Sequence, residues 1–498
     1  MNVFKKKNFQ YGTAAIVLVA IVIACVIVCN VLLSLFSSHF GWYADISASG
    51  LFRFSDESLK LLDTVDGKKN TLSIYFLTDE NTLNTTNYGK YVLGLTTELT
   101  NRYDHISVTH FSNINKDLFE VAAVYGEKYL SEFERLYENG EFATGTMILR
   151  NDTYLLDENG DYELGITGER REDYRVDTFN VNDLYSEPTM AFLGDFFLTG
   201  RIMGICHNPQ TAYFLSGHGE ISHKDDGDFG NAELLSDLLK NAGYTTAKLD
   251  LSQNNFPTNL REGTLAVIFA PRIDLTEGEI ARLSAFVKAG GHLMVFTSGV
   301  YYRLEKLTAF LSEYGISVAN AKIQSGADAS LGDNGFMFAA DTAWDHKVLA
   351  GITDREPKMV LSSSRLLRTD VEKGAVALLT PPASYTAVGV DTEKTPYDAA
   401  VALSKGEGRG SVFVSGSDTL ASSLVYSPIY ANRDLLLSVL ADFGADDVPL
   451  NVGVETLASD GLDLTKGQAT LVSILVSVLP AAAVMTVGII IFERRKRS

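Results

Sequence analysis

Between Thr211 and Gly299 short apolar runs alternate with segments of helical spacing, and this alternation constrains the fold more than any other feature of the chain. "TAYFLSG" reads as a short buried strand. "NAELLSDLLKNAG" places Leu234, Leu235, Leu238 and Leu239 on one helical face, with Gly243 beyond its end as a stop. "YTTAKLDL" and "TLAVIFAP" are strands. "TEGEIARLSAFVKAGG" is a helix opened by a capping box, Thr276 with Glu279, and closed at Gly290; "HLMVFTSG" is a strand again. Strands separated by helices of this length predict a doubly wound, mainly parallel sheet covered on both faces.

A second α/β pattern precedes it. Ser55 caps a helix begun by Asp56 and Glu57 and continued by Leu59, Leu61 and Leu62. "NTLSIYFLT" and "HISVTHF" are strands on either side of the helical "YGKYVLGLTTELTNRY". "LFEVAAVYGEKYLSEFERLYENG" reads as helical, and "GTMILRNDTYLLDENGDYELGI" as a hairpin or meander turning at Asn159 and Gly160. Beyond residue 320 the pattern loosens, then recovers in the strands "GAVALLTPP" and "GRGSVFVSGSD" and the helix "NRDLLLSVLADFG". These extend the sheet or build an appended lobe.

The ends differ in kind. Ala14–Leu35, "AAIVLVAIVIACVIVCNVLLSL", has only Asn30 and Ser34 as polar residues, and Gly467–Phe492 carries no charge. Each reaches the ~20 residues needed to cross a ~30 Å hydrocarbon core. The first run exceeds the ~7–15 residues of a signal-peptide core and is followed by no clear small-x-small site, so an uncleaved anchor is expected. Lys5, Lys6 and Lys7 precede the first run, and Arg494, Arg495, Lys496 and Arg497 follow the second. Positive flanks of this kind place both termini in the cytoplasm and the residues between the runs outside it.

The expected organisation is therefore a cytoplasmic N-terminus over 1–12 and transmembrane helices over 13–36 and 467–492. Between them lie a first extracytoplasmic α/β domain over 45–200, a second over 205–445 and a linker over 446–466, and a basic cytoplasmic tail follows at 493–498. Removing the seven terminal basic residues and Glu493 from the 42 basic and 62 acidic residues leaves 35 against 61, a net charge of −26. A body this acidic argues against nucleic acid as a partner and against adhesion to anionic lipid. The one cysteine outside the apolar ends, Cys206, cannot staple the fold. Although His207 stands beside it, it reads as a small buried side chain at a helix-to-strand junction.

Chemistry, if present, concentrates in "YFLSGHGEISHKDDGDFGNAELLSDLL". Gly217, His218, Gly219 and Glu220 lie just past the carboxyl end of a strand, where doubly wound folds bind ligands. His223 and Asp225 follow. The templates fit poorly. His218 and His223 are five apart, not the i,i+4 pair of a helical zinc site. "DDGDFGNAE" is out of register with a calcium loop. "SGHGE" has neither GxGxxG nor a Walker lysine, and "FLSGHG" is not the GxSxG elbow. Two readings stay open: a glycine turn without chemistry, and a loop contacting a ligand or partner. "SGSD" at Ser415–Asp418 is another rim turn, His346 a surface or packing residue, and "VYYRL" at Val300–Leu304 lines a cleft or packs in a core. No cofactor is expected.

In order along the chain, "FSDESLKLLDTV", "FLTGRI", "YFLSGHGE" with "ELLSDLLKNAGY", "LAVIFAPRIDLTEGEIARLSAFVKAGGHLMVF", "GRGSVFVSGSD" with "NRDLLLSVLA", and "LPAAAVMTVGIIIFERRKR" resemble the GldG-type family. These are auxiliary components of ABC transport systems first associated with gliding motility. The likeness is strongest from Tyr213 to Phe296 and weakest between Asp117 and Glu187. It implies a non-catalytic, membrane-anchored subunit in a bacterial plasma membrane, working beside an ABC permease and a separate cytoplasmic ATPase, with its extracytoplasmic body binding a substrate or partner. It also implies a central domain similar in fold to class I glutamine amidotransferases, although no cysteine occupies the strand-to-helix elbow here. The rival reading is a membrane-anchored extracytoplasmic hydrolase or metal-dependent carbohydrate-active enzyme built on the SGHGE loop.

Overall fold

The computed structural model describes residues 52–457, apart from 113, 157–160, 165–171, 208, 222–230, 356–357, 390–397, 406–409, 446–447 and 451. Its first sheet uses β1 (Asn70–Phe76), β2 (Ile106–His110), β3 (Thr146–Tyr154) and β4 (Glu172–Asn180) in the order β2-β1-β3-β4. As the sequence implies, β1 and β2 run parallel around the Gly89–Arg102 helix. Strand β3 lies antiparallel between β1 and β4. One face buries Leu72, Ile74 and Phe76 against Val92, Leu95 and Leu99 of that helix. The other packs Ile148 under Val121, Phe133 and Leu136 of helices Leu118–Tyr125 and Leu130–Glu138. The expected turn at Asn159 and Gly160 lies outside the described residues.

Two short strands, β5 (Tyr185–Ser186) and β6 (Ala191–Phe192), lead into the Gly194–Cys206 helix. The large sheet then begins with β7 (Gln210–Leu215), β8 (Tyr244–Leu249), β9 (Leu265–Phe269) and β10 (His292–Phe296). The chain continues through β11 (Ile316–Ser325), β12 (Met337–Thr342), β13 (Met359–Ser362), β14 (Arg365–Thr369), β15 (Ala375–Thr380), β16 (Tyr385–Gly389), β17 (Val401–Ser404) and β18 (Val412–Ser415). A last short strand, β19 (Glu455–Thr456), pairs back onto β6. The large sheet runs β13-β12-β15-β17-β18-β10-β9-β7-β8, and β14-β11-β16 form a separate three-stranded sheet.

Two features of the expected fold class are corrected. Among the described residues no helix is long and apolar enough to cross a membrane. Gly89–Arg102 has 14 residues, roughly 21 Å at 1.5 Å per residue, and carries Lys90, Glu98 and Arg102. A body framed by two transmembrane helices gives way to a mixed α/β unit with large sheets. The expected spans at 13–36 and 467–492, with Lys5, Lys6, Lys7, Arg494, Arg495, Lys496 and Arg497, lie outside the described residues.

The second correction concerns strand direction. Strands β8, β7, β9, β10 and β18 are parallel, but β18, β17, β15, β12 and β13 pair antiparallel, so the sheet is mixed rather than mainly parallel. Parallel pairing needs a crossover of a dozen or more residues, usually a helix. Between Met337 and Ser415 the described connections contain no α-helix, only 3-10 turns and the strands β14 and β16, so the chain doubles back on itself.

Period-two alternation sorts the parallel strands into two cores. Phe214, Val267, Phe269, Met294 and Phe296 face helices Gly194–Cys206, Asn231–Asn241 and Asn432–Asp442. Leu215, Ile268, Leu293 and Val295 face helices Glu277–Lys288 and Glu305–Glu313. Each fully buried Leu, Phe or Val contributes about 1.5–3 kcal/mol relative to exposure, and β9 is buried at all five positions.

At the foot of β10, His292 stacks on Phe443 at 4.4 Å, and its Nδ1 accepts the Ser411 N–H at 3.1 Å. Burial pushes this imidazole down to about 4, with the Asp442 charge pulling it up and Lys405 pushing it further down. The unfolded chain therefore takes up the proton first. Stability conferred by neutral His292 is complete above the ordinary value of ~6.5 and is lost as pH falls toward 4, up to about 3 kcal/mol. Urea midpoints measured from pH 7 to 4 should drop more steeply in the wild type than in His292→Asn, whose amide oxygen can replace Nδ1 as acceptor. Parallel curves would remove His292 from the acid transition.

Candidate functional site

Strands β8 and β9 flank β7 on opposite sides, so the crevice beyond the carboxyl ends of β7 and β9 is the topological switch point, the usual ligand position in such sheets. Gly217, His218, Gly219 and Glu220 lie there, where the sequence places them. Gly217 and Gly219 take φ of +117° and +69°, conformations that glycine supplies without strain. A Cβ on Gly219 would also stand 3.2 Å from the Cβ of Arg272.

This turn is tied down from every side. The backbone N–H groups of Arg272 and Ile273, in the loop after β9, donate to the His218 carbonyl at 2.9 and 2.8 Å. The two loops that border the crevice are thereby zipped together. The His218 side chain is 9% exposed; its Nδ1 lies 3.2 Å from Glu220 Oε1 and its Nε2 3.1 Å from Glu279 Oε2. The His218 N–H donates to the second Glu220 oxygen at 2.7 Å. Glu279 Oε2 also accepts the N–H and the hydroxyl of Thr276, both at 2.7 Å, which completes the capping box read from the sequence.

Burial pushes the Glu279 carboxyl up, but the Thr276 hydrogen bonds and the His218 charge outweigh it and hold the group below the ordinary glutamate range. Nearby, Asp250 is lowered chiefly by the hydroxyl and N–H of Ser252, with His218 a lesser contributor. Both imidazole nitrogens face carboxylates, Glu220 on one side and Glu279 on the other. In this arrangement both ring nitrogens are engaged by side chains of the protein itself. The geometry is that of a latch between a turn and a helix N-terminus.

The other sequence candidates are scattered. Among the described residues no group of three or more His, Cys, Asp or Glu side chains is placed to hold a metal ion; His223 and Asp225 lie outside them. Cys206 is 7% exposed at the end of its helix, and His207 caps that helix through its N–H to the Met203 carbonyl. His346 Nδ1 accepts the Val348 N–H at 3.3 Å, a local turn contact. Ser417 of the SGSD turn is buried and donates to the Ser362 carbonyl at 2.6 Å, which ties the ends of β18 and β13 together.

Val300, Tyr301, Tyr302 and Leu304 do line a cavity. Arg365 on its wall carried no sequence signal beyond its place at the end of the serine run Ser362–Ser364. Glu279 was visible as a cap but not as a partner of His218, because the two are far apart in the chain.

Fold and site together define a mixed α/β body whose switch-point loop is sealed by its own side chains. Residues 209–349, the segment that carries this loop and its latch, match the model of a family described as "ABC-type uncharacterized transport system". Over this segment the match, to an auxiliary component of an ABC-type transport system, is consistent with the likeness to GldG-type components. No curated protein matches the sequence at a significant level.

Among solved structures, the mmIFT52 N-terminal domain is 18% identical with a TM-score of 0.38, covering 48% of this chain and 99% of that one. A putative ThuA-like protein from Bacteroides uniformis is 14% identical with a TM-score of 0.30, covering 47% and 90%. The exo-β-1,4-mannosidase Op5Man5 from Opitutaceae bacterium strain TAV5 is 15% identical with a TM-score of 0.28, covering 48% and 36%. Likeness this loose carries no argument about function.

Proposed function

We propose that this chain is a non-catalytic auxiliary subunit of an ABC-type transport system, working at the bacterial plasma membrane beside a permease and a separate cytoplasmic ATPase. Its acidic α/β body lies on the extracytoplasmic side and binds a substrate or partner there. The family match over residues 209–349 carries the reading. The sealing of His218 between Glu220 and Glu279 supports the non-catalytic part, because the residue best suited to acid–base work at the switch point is engaged in holding the fold.

The test is recovery of the tagged chain from its native cell in mild detergent. A multi-span permease and a Walker-motif ATPase should co-purify in fixed proportion, and deletion of the gene should impair transport. Isolation of the chain alone, with every transport phenotype intact, would overturn the reading. Protease added to spheroplasts should cleave the 52–457 body, whereas full protection until lysis would place it on the wrong side of the membrane.

A further inference from the structure

Beyond the carboxyl ends of β9 and β10 a cavity of about 350 Å³ opens between Pro271, Thr297, Ser298 and the Glu305–Glu313 helix. Its volume lies in the range of small-molecule sites, ~300–1,000 Å³. Its lining combines the apolar or aromatic Tyr301, Tyr302, Leu304 and Leu307 with the polar Asn320 and Arg365. Tyr301 is 52% exposed at the rim, with its ring 5.0 Å from the Arg365 guanidinium.

Arg365 is the unusual member. It is 6% exposed, yet its only polar partners are carbonyls: Nε donates to Ser298 O and Nη1 to Ala319 O, both at 3.0 Å. Nη2 has no hydrogen-bond partner, and no carboxylate pairs with the guanidinium, among the described residues. Burial accordingly pushes its pKa below the usual arginine value. A buried cation without a counter-ion is costly and is normally paired. Here it stands inside a protein of net charge −20.

A second lining residue, Thr297, also carries an unsatisfied group. The Thr297 hydroxyl is buried and makes no hydrogen bond among the described residues. The charge of Glu305, the other ionisable group lining the cavity besides the tyrosines, is met by Arg303 at 2.6 Å. The N-terminal amides of the Glu305–Glu313 helix are taken: Lys306 and Leu307 donate to Asp274 at 2.7 and 3.1 Å. Among the described residues, Arg365 is thus the one cation the cavity lining presents to a guest. Its position is held firmly, since a Cβ on Gly416 would fall 2.3 Å from the Arg365 carbonyl, leaving room only for glycine.

We propose that this cavity binds a small monoanionic carboxylate, with the carboxylate against Arg365 Nη2 and the Thr297 hydroxyl and the apolar or ring portion against Tyr301 and Leu307. A single guanidinium edge matches one negative charge; a phosphate dianion would bring a second charge toward Glu305 with nothing to meet it. The inference stands on the cavity alone and does not depend on the transport reading.

Purified full-length protein titrated calorimetrically with benzoate should show saturable binding, absent with benzamide, its neutral isostere. Thr297→Val removes a hydroxyl that has no partner, so the protein should stay as stable as wild type while benzoate binding weakens about tenfold, the worth of one charge-assisted hydrogen bond. Tyr301→Ala, at the exposed rim, should weaken it about fivefold, and Arg365→Gln should abolish it. Equal binding of benzoate and benzamide, tighter binding of phenyl phosphate than of benzoate, or unchanged affinity in folded Thr297→Val and Tyr301→Ala would overturn the proposal. So would no binding of benzoate at millimolar concentration. Co-purification with a permease has no bearing on any of these outcomes, so failure here and failure of the proposed function are separately visible.

Discussion

Glu279→Ala is expected to cost the fold about 3–5 kcal/mol, the usual penalty for removing one partner of a buried, hydrogen-bonded charge pair. The carboxylate is 3% exposed and one of its oxygens accepts from His218 Nε2, the Thr276 N–H and the Thr276 hydroxyl. Truncation leaves an imidazole facing only Glu220 and uncaps the helix behind β9. Glu279→Gln keeps the amide cap, as glutamine serves in capping boxes, and should recover about half of the loss. Acid titration separates the charge from the cap. Because the Glu279 carboxyl is held below its ordinary range, its contribution is present above ~4.3 and disappears as pH falls through the lowered value. Urea denaturation at pH 7 and pH 3 should therefore show a wild-type advantage that narrows in acid. A loss below 1 kcal/mol at pH 7 would mean that His218 and Glu279 are not coupled.

Asn432→Ala should be comparably damaging, at about 4 kcal/mol. Asn432 is fully buried at the start of the Asn432–Asp442 helix, and its side chain acts as a strand partner for β13. The amide oxygen accepts the Val360 N–H at 2.8 Å, and the amide nitrogen donates to the Val360 carbonyl at 2.8 Å and the Leu420 carbonyl at 3.2 Å. Alanine strands three backbone groups in a dry interior, and each unsatisfied group costs about 1–3 kcal/mol. Hydrogen exchange should localise the effect, with protection falling first at Val360. If the Val360 amide exchanges as slowly in the variant as in the wild type, the bridge contributes nothing.

The elements that sequence reasoning reached are those whose signals are local. Ser55 caps its helix through its hydroxyl, Thr276 and Glu279 form the expected box, and the Leu235, Leu238 and Leu239 face is buried. Runs such as Leu265–Phe269 and His292–Phe296 are strands because continuous burial on both faces leaves continuous apolar sequence. Strand β11 was missed: its apolar positions are interrupted by Asn320, Lys322 and Gln324 on a half-exposed face. Strand β4, "EDYRVDTFN", buries little and carries four charges. The order in which strands pair is not written in any one of them, so the antiparallel half of the large sheet escaped.

The site divides along the same line. The place of the GHGE turn follows from a strand followed by glycines. Its latch does not, because the partner of His218 comes from another loop. Arg365 is the clearest omission: an arginine after three serines is unremarkable until folding buries it with no carboxylate paired to it among the described residues.

The order of the large sheet also governs how the chain can be assembled. Strand β10 is complete at Phe296, yet the neighbour that covers one of its sides, β18, comes only at Val412–Ser415, more than a hundred residues later in the chain. Until β18 pairs, that side of β10 is a row of unpaired amides and carbonyls along an apolar strand, a template for intermolecular pairing. Fragments that end between these two points should thus be prone to intermolecular pairing along β10.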